Sequence, residues 1–358
     1  MKKTLTALLL GCATLACADE ALLAREDVQH YIKTTAQEHG FSEAELSDLF
    51  VRIEPKPHII DIFDRPSTSR PWHQFRSNFL NASRIQTGAR FWQENADLIA
   101  KISTHYQVDP AVIVAILNAE TLYGKNMGSF RVLDVLSTAA FDYPRRSAFF
   151  RKELTHFLLL ARDEKEDPLS FKGSYAGAMG WPQFIPSSFR NFAVDWDGDG
   201  HHDIWNNKGD ILASAANYLA RHGWQEGTPS HIAVNVEGSQ IEGLLADKFN
   251  LHYTVAELMQ MGVRPISEID GQQKAVLFAL EVEPGFTRYY LGFNNFYVIT
   301  RYNRSTLYAT AVLELAEEIR AAWQRGDGLK TAAKPVRKAA PKVKTAKPRK
   351  KTQPRNMK

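Results

Sequence analysis

The stretch Ala119-Glu120-Thr121-Leu122-Tyr123-Gly124 decides the fold of this chain. It ends a predicted helix that starts at Asp109 and Pro110, because aspartate is a good N-cap and proline suits the first helical turn. Glu120 shares a helix face with the apolar residues three, four and seven positions before it, so its carboxyl group is predicted to face the interior. Burial raises a carboxyl pKa, as a general acid near neutral pH requires. The alternative is a glutamate that reaches solvent at a helix end and has no role.

A glycine-rich segment follows about fifty residues later. It runs Gly173-Ser-Tyr-Ala-Gly-Ala-Met-Gly-Trp-Pro-Gln-Phe-Ile-Pro-Ser-Ser188. Its glycines allow close approach of the backbone, and its aromatic and amide side chains suit sugar faces and acetamido groups. A purely structural loop is the alternative.

An acidic loop comes next, Asp195-Trp-Asp-Gly-Asp-Gly-His-His-Asp203. Acids at positions one, three, five and nine with glycine at six are typical of the start of an EF-hand calcium loop. Position twelve should be Glu but is Asn206, and Asp210 is placed to close a longer loop instead. Aspartates this close repel strongly without a cation. An acidic surface turn is the alternative.

The composition is that of a globular protein. Hydrophobic residues make up 44% and charged residues 23% of the 358 residues, which excludes collagen-like and disordered chains. The apolar run at residues 5–18 is too short to span a bilayer and no later stretch is long enough, which excludes a polytopic membrane protein.

Residues 1–18 are predicted to be a secretory signal peptide, with Lys2 and Lys3 before an apolar run. Two interpretations of its end stay open. Ala16-Cys17-Ala18 fits a signal-peptidase site, whereas the segments ending at Cys12 and Cys17 are imperfect lipoprotein boxes. We therefore expect a periplasmic protein, either soluble or anchored to the outer membrane as a lipoprotein. The remaining chain has no cysteine, which excludes disulfides and a cysteine nucleophile there.

The chain divides into a mainly helical body with a β-rich insert. Apolar periodicity predicts helices at 131–141, 146–163, 209–222 and 306–323. Strands are predicted at 232–236, 275–282, 288–293 and 296–300, with Asn294-Asn295 as a hairpin turn between the last two.

Residues 327–358 are predicted to form a disordered basic tail, because almost nothing in them can be buried. The last 29 residues contain twelve Lys and Arg and no acid, so the remainder of the chain, 4 minus 12, carries −8. Such a tail can contact anionic polymers. A solvated tail without a dedicated partner is the alternative.

Together these motifs closely resemble the membrane-bound lytic murein transglycosylase B family, which has a goose-type-lysozyme-like core. The matching segments are Ala119-Glu-Thr-x-Tyr-Gly124, Gly177-Ala-Met-Gly-x-x-Gln-Phe184, Asp195-x-Asp-Gly-Asp-Gly-His201, Ala216-Asn-Tyr-Leu219 and Arg301-Tyr-Asn-x-Ser-x-x-Tyr308. The similarity covers roughly residues 28 to 325 and leaves out the basic tail.

The resemblance implies an α+β fold that is mainly α. Its parts are a helical domain at 27–95 joined by a C-terminal helix at 305–326, a lysozyme-like catalytic core at 96–226 with an EF-hand-like loop at 195–210, and a small β domain at 227–300. We expect a monomer.

Enzymes of this family cleave peptidoglycan glycan strands between N-acetylmuramic acid and N-acetylglucosamine without water, leaving 1,6-anhydromuramic acid ends. The resemblance implies that Glu120 is the single catalytic acid and base. The substrate-binding residues it implies are Ser174, Gln183, Tyr302, Asn303, Tyr308, Arg145 and Arg146. It also implies a structural Ca²⁺, held by Asp195, Asp197, Asp199, His201 through its backbone carbonyl, and Asp210, and no organic cofactor.

Two other functions remain open from the sequence. A hydrolytic muramidase needs a second carboxylate opposite Glu120, and Asp134 and Asp142 are the nearest downstream candidates. A non-catalytic, calcium-stabilised scaffold could bind the cell wall through the same cleft and the basic tail.

Overall fold

The structure is a computed structural model that describes residues 22–65 and 70–329. The predicted signal peptide, both cysteines of the alternative lipid anchor and residues 330–358 of the basic tail lie outside the described residues.

Helices form most of the described chain, as predicted. They are α1 (Glu26–His39), α2 (Glu43–Val51), α3 (His58–Phe63), α4 (Trp72–Phe75), α5 (Ala82–Glu94), α6 (Ala96–Tyr106), α7 (Pro110–Thr121), α8 (Val132–Asp142), α9 (Ser147–Asp163), α10 (Pro186–Phe192), α11 (Lys208–Arg221), α12 (Ile241–Ala246), α13 (Val255–Gln260), α14 (Asn294–Tyr302) and α15 (Thr306–Gln324). The helices predicted near 110, 131, 146, 209 and 306 all form, with ends within two residues of their predicted positions.

Helix α7 is the centre of the core. Asp109 caps it, because its side chain accepts a hydrogen bond from Ala111 N at 2.8 Å. Every residue from 111 to 118 is buried. The helix is therefore buried on all sides and not only along the one apolar face that was predicted. A helix that is apolar on all sides is buried on all sides, and this fixes the position of its C-terminal end, which carries Glu120.

The strands of residues 22–65 and 70–329 form two antiparallel sheets. The small sheet pairs β1 (Phe130–Arg131) with β2 (Lys172–Gly173). The larger sheet has the order β4-β6-β7-β3-β5, with β3 (His231–Val236), β4 (Tyr253–Thr254), β5 (Val263–Pro265), β6 (Lys274–Glu283) and β7 (Phe286–Gly292). One face of this sheet covers a separate small core that includes Val255, Leu277 and Phe293. Phe278 and Leu280 belong to the main core.

The predicted strand at 296–300, with its turn at Asn294-Asn295, is wrong because these residues form helix α14. The short apolar run fits a buried helix as well as a strand, and tertiary contacts decide between them. Asn295 accepts a hydrogen bond from Gln225 N at 2.8 Å and donates one to Gln225 O at 2.7 Å. Phe296 stacks on Phe278 of β6 at 4.4 Å between ring centroids.

Helix α15 returns to the body and packs against α5 and α7. The predicted tail starts too early, because residues Asp327–Leu329 form a 3₁₀ turn. Gly328 lies so close to α5 that a Cβ atom would be 2.6 Å from Ala89 O, so the absence of a side chain permits this contact. Among the described residues, no helix is long and apolar enough to span a membrane.

Candidate active site

The backbone turns sharply after Glu120. Leu122, Tyr123 and Gly124 have φ values of 51°, 58° and 79°, which lie in the left-handed region that only glycine adopts readily. Two consecutive non-glycine residues in this region are a strained arrangement, and such strain is often found at functional sites. The turn ends α7 immediately beyond Glu120 and leaves its side chain at the edge of the core.

The carboxyl group of Glu120 is held by Tyr308 of α15. The Tyr308 hydroxyl donates a hydrogen bond to Glu120 Oε1. Burial raises the pKa of Glu120 from 4.5 to about 7, and the hydrogen bond from Tyr308 opposes this rise. Since burial disfavours the carboxylate and an O–H donor favours it, the group is balanced between its two protonation states near neutral pH.

Other tyrosines line the same region. The Tyr302 hydroxyl donates to Pro182 O at 2.6 Å, and its ring lies 4.7 Å from that of Tyr218. Burial and the neighbouring Glu120 raise the pKa values of Tyr302 and Tyr308 well above 10. Both phenols are therefore neutral donors over the whole working range of pH.

The glycine-rich segment packs against the end of α7. Thr121 Oγ1 donates to Trp181 O at 3.1 Å and accepts from Gly124 N at 3.0 Å. A Cβ atom on Gly124 would lie 2.3 Å from Trp181 Nε1, so glycine is required at this position. The structure therefore joins the two motifs that the sequence placed more than fifty residues apart.

Ser174 and Gln183 shape this segment. Ser174 Oγ accepts hydrogen bonds from Ala176 N and Ala178 N at 3.3 and 3.1 Å. Gln183 has a φ of 53°, and its Nε2 donates to Gly180 O at 2.9 Å. These bonds hold both side chains within the loop that borders Glu120. The side-chain carbonyl oxygen of Gln183 takes part in none of these bonds.

The remaining predicted substrate residues lie nearer the surface. Asn303 is exposed and directly follows α14. Arg145 forms an ion pair with Asp64 at 2.9 Å, and the Arg146 guanidinium lies 4.1 Å from the ring centre of Phe149. The two arginines therefore already have protein partners, and nothing in their contacts joins them to Glu120.

Asp134 and Asp142, the candidates for a second catalytic carboxylate, have other partners. Asp134 is 1% exposed, accepts from Glu54 N at 3.0 Å and pairs with Arg131 at 2.7 Å. Asp142 pairs with Arg25 at 2.6 Å. Both carboxylates therefore serve to join elements of the fold.

Two aspartates of the acidic loop converge with one aspartate of α11. Carboxylate oxygens of Asp195, Asp197 and Asp210 lie within 4.8 Å of one another. Asp210 is buried and accepts from Trp196 N and from Asp203 N, both at 2.8 Å. Burial raises its pKa, and the charges on Asp197 and Asp195 act in the same direction. Oxygen donors from three acids match the preference of Ca²⁺.

Asp199, also predicted as a ligand, is placed differently. Asp199 does not join the convergent group, and its Oδ1 accepts from His201 N at 2.9 Å. Next along the loop, His202 Nδ1 lies 2.8 Å from Glu164 Oε1 at the end of α9. No sequence motif predicts this contact between the loop and α9.

Sequence reasoning also missed residues beneath Glu120. Arg84 of α5 donates to both oxygens of Asn118, and Tyr218 borders Tyr302. Asn118 and Tyr218 stand in or beside family motifs, so their positions gave a signal. Arg84 lies outside every motif, and only the packing of α5 on α7 places it.

The Transglycosylase SLT domain family matches residues 24–317, and the chain belongs to this family. The chain is 39% identical over 303 residues to membrane-bound lytic murein transglycosylase B of Escherichia coli strain K12, with 82% of each protein covered.

Solved structures agree. Catenated lytic transglycosylase SltB1 of Pseudomonas aeruginosa matches with a TM-score of 0.79 and 41% identity, over 84% of this chain and 98% of that one. Escherichia coli Slt35 in complex with calcium matches with 0.75 and 37%, over 83% and 93%. Pseudomonas aeruginosa SltB3 in complex with NAG-anhNAM-pentapeptide matches with 0.69 and 29%, over 82% and 79%.

These matches confirm the predicted family, the mainly helical lysozyme-like fold and the enzyme class. The protein is a lytic transglycosylase of the MltB/SltB type that acts on peptidoglycan.

Proposed function

We propose that this enzyme cleaves the β-1,4 bond between N-acetylmuramic acid and N-acetylglucosamine without water, with Glu120 as acid and then base, and leaves 1,6-anhydromuramic acid ends. The observation that carries the proposal is the carboxyl group of Glu120, whose pKa is raised by burial to about 7 and which accepts a hydrogen bond from Tyr308. Retaining and inverting glycosidases use two carboxylates, and the two acids that could have supplied a second one are paired elsewhere.

Glu120 gives up one proton in the first step and takes up one proton in the second. Protonated Glu120 gives its proton to the glycosidic oxygen as the bond from that oxygen to the anomeric carbon breaks. The resulting carboxylate then takes the proton of the muramyl 6-hydroxyl group while that oxygen bonds to the anomeric carbon. The N-acetyl group of the substrate shields the cationic intermediate. A pKa near 7 suits both directions of transfer.

Other residues of the proposed site offer groups for the sugars. Ser174, Gln183, Tyr302, Tyr308 and Asn303 are proposed to contact the glycan strand, with the free carbonyl oxygen of Gln183 as an acceptor for sugar hydroxyls or acetamido N–H groups. Arg145 and Arg146 are proposed to lie near the peptide stems. Support comes from the SltB3 structure, which contains a NAG-anhNAM-pentapeptide.

Mass spectrometry of products released from purified peptidoglycan tests this function. We expect anhydromuramyl ends, and none from Glu120→Gln. Reducing muramyl ends would favour the hydrolytic muramidase. A folded protein that sediments with the wall but releases no product would favour the scaffold.

We further propose that the acidic loop binds a structural Ca²⁺. Asp195, Asp197 and Asp210 would hold it, joined by Asp199 and the backbone carbonyl of His201. The bound ion would neutralise the repulsion between the three carboxylates. The calcium complex of Slt35 supports this assignment. Calorimetric titration with Ca²⁺ tests it, and Asp210→Asn should weaken the binding because Asp210 is the buried acid of the group.

The wider organisation is proposed as the sequence indicated. A helical domain at 27–95 with the C-terminal helix, a catalytic core at 96–226 and a β domain at 227–300 would act as a monomer in the periplasm, either soluble or as an outer-membrane lipoprotein. The relative named membrane-bound transglycosylase B supports a membrane association. Metabolic labelling with palmitate distinguishes the anchored form from the soluble one.

A further inference from the structure

Arg84 lies on α5, behind the end of α7 that carries Glu120. Its Nη1 donates to the main-chain oxygen of Asn118 at 2.6 Å and to Asn118 Oδ1 at 3.0 Å. Asn118 precedes Glu120 by two residues. Asn118 O also accepts from Leu122 N at 3.0 Å, so Arg84 adds a charged donor to it, and a cation at the C-terminal end of a helix is favoured by the helix dipole.

The contact between Arg84 and Asn118 is reciprocal. Asn118 Nδ2 donates back to Arg84 O at 3.1 Å and to the Tyr123 hydroxyl at 3.2 Å. Tyr123 in turn donates to Val114 O at 3.1 Å. These bonds tie the last turn of α7 to the left-handed turn that follows Glu120.

A second route leads from Arg84 to the carboxyl group itself. The Arg84 guanidinium lies 5.3 Å from the centre of the Phe79 ring. Phe79 packs edge-on against the ring of Tyr308 at 6.4 Å, and Tyr308 donates to Glu120. Arg84 thus supports both the backbone that carries Glu120 and the phenol that holds its carboxyl group.

We propose that Arg84 is a positioning residue for Glu120, which it acts on through Asn118 and through Phe79 and Tyr308. This role rests on the proposed function, in which Glu120 transfers the proton. The guanidinium makes both contacts at once, because one nitrogen bonds both oxygens of Asn118 while its central carbon lies over the Phe79 ring. A lysine can donate to Asn118 through its ammonium group, but its single nitrogen on a flexible stem cannot hold that bond and the contact with Phe79 at the same time.

Loss of Arg84 has two measurable consequences. A misplaced acid slows the chemical step, and an error of about 1 Å costs up to about 100-fold in rate. Looser support of Tyr308 weakens its hydrogen bond to Glu120, and since that bond lowers the pKa of Glu120, the alkaline limb of the kcat profile moves to higher pH. If Arg84 had only a structural role, its replacement would neither shift the alkaline limb nor lower kcat more than it changes KM.

Arg162 provides a matched control. Its Nη1 donates to His39 O, the last residue of α1, at 2.7 Å, and its guanidinium lies 4.6 Å from the centre of the Phe41 ring. It therefore makes the same kinds of contact far from Glu120 in the chain. Arg162→Met should lower the melting temperature with no change in kcat or in the pH profile.

The experiment measures kcat, KM and the pH profile of anhydromuramyl release from soluble glycan strands for wild type, Arg84→Met, Arg84→Lys and Arg162→Met. We expect both Arg84 variants to lose about 10- to 100-fold in kcat, with KM changed less than threefold and the alkaline limb shifted upward. If Arg84→Lys matches wild type, charge alone suffices and the positioning role is overturned. The positioning role is also overturned if both variants keep the kcat and the alkaline limb of the wild type.

Failure of the proposed function would be visible separately, since wild type itself would then release no anhydromuramyl ends. If Arg84→Met does not fold, as judged by circular dichroism, Arg84→Lys carries the same comparison.

Discussion

Replacing Glu120 with glutamine should make the protein more stable, and the gain should grow as the pH rises from the ordinary pKa of a glutamate to the raised pKa of Glu120. Burial holds the pKa of Glu120 at about 7 against an ordinary 4.5. Between these two values the folded protein keeps a proton that the unfolded chain releases, so the free energy of unfolding falls as the pH rises through this window. At about 1.36 kcal/mol per pKa unit, the ionised carboxylate costs the fold about 3 kcal/mol at pH 8.

Glutamine carries no charge, and its Oε1 still accepts from Tyr308. Urea unfolding of wild type and Glu120→Gln at pH 4 and pH 8 measures the effect. At pH 8 the free energy of unfolding of the variant should exceed that of wild type by about 3 kcal/mol more than it does at pH 4. Glu226→Gln, at an exposed glutamate, should show no such dependence. An equal gain in the free energy of unfolding at both pH values would refute the claim that burial raises the pKa of Glu120.

Three further predictions concern the site and the loop. Tyr308→Phe removes the hydrogen bond that lowers the pKa of Glu120, so the alkaline limb of the kcat profile should move to higher pH, and an unmoved limb counts against the bond. Gly124→Ala should reduce kcat at least tenfold, because its Cβ would meet Trp181; wild-type kcat would contradict the packing. Chelation should lower the melting temperature by linkage, and Asp210→Asn should abolish that response; an unchanged melting temperature on removal of bound metal would argue against the loop site.

The sequence was informative where function depends on local pattern. The apolar run before Glu120 predicts both the buried helix and a raised carboxyl pKa, and the structure shows both. The alternation of acids from Asp195 predicts a metal loop, and two of these acids converge with Asp210.

Long-range partners could not be read in the same way. Tyr308 follows Glu120 by 188 residues, and only the return of α15 to the core brings the two together. The resemblance implies that Tyr308 binds substrate, but its hydrogen bond to the carboxyl group depends on packing. Arg84 stands in no motif, so the sequence alone gave no reason to select it.

The β-rich region shows why short apolar runs mislead. Residues 296–300 contain aromatic and β-branched side chains, which favour strands. The stacking of Phe296 on Phe278 and the hydrogen bonds of Asn295 to Gln225 favour a helix instead. Tertiary contacts of this size override local propensity.

Product formation in water labelled with ¹⁸O tests the central claim most directly, because the proposed reaction consumes no water. Mass spectrometry of the muramyl ends should show the anhydro form without ¹⁸O. Reducing muramyl ends that carry one ¹⁸O atom as the initial product would show that water attacks the anomeric carbon, and would contradict the assignment of Glu120 as the only acid and base.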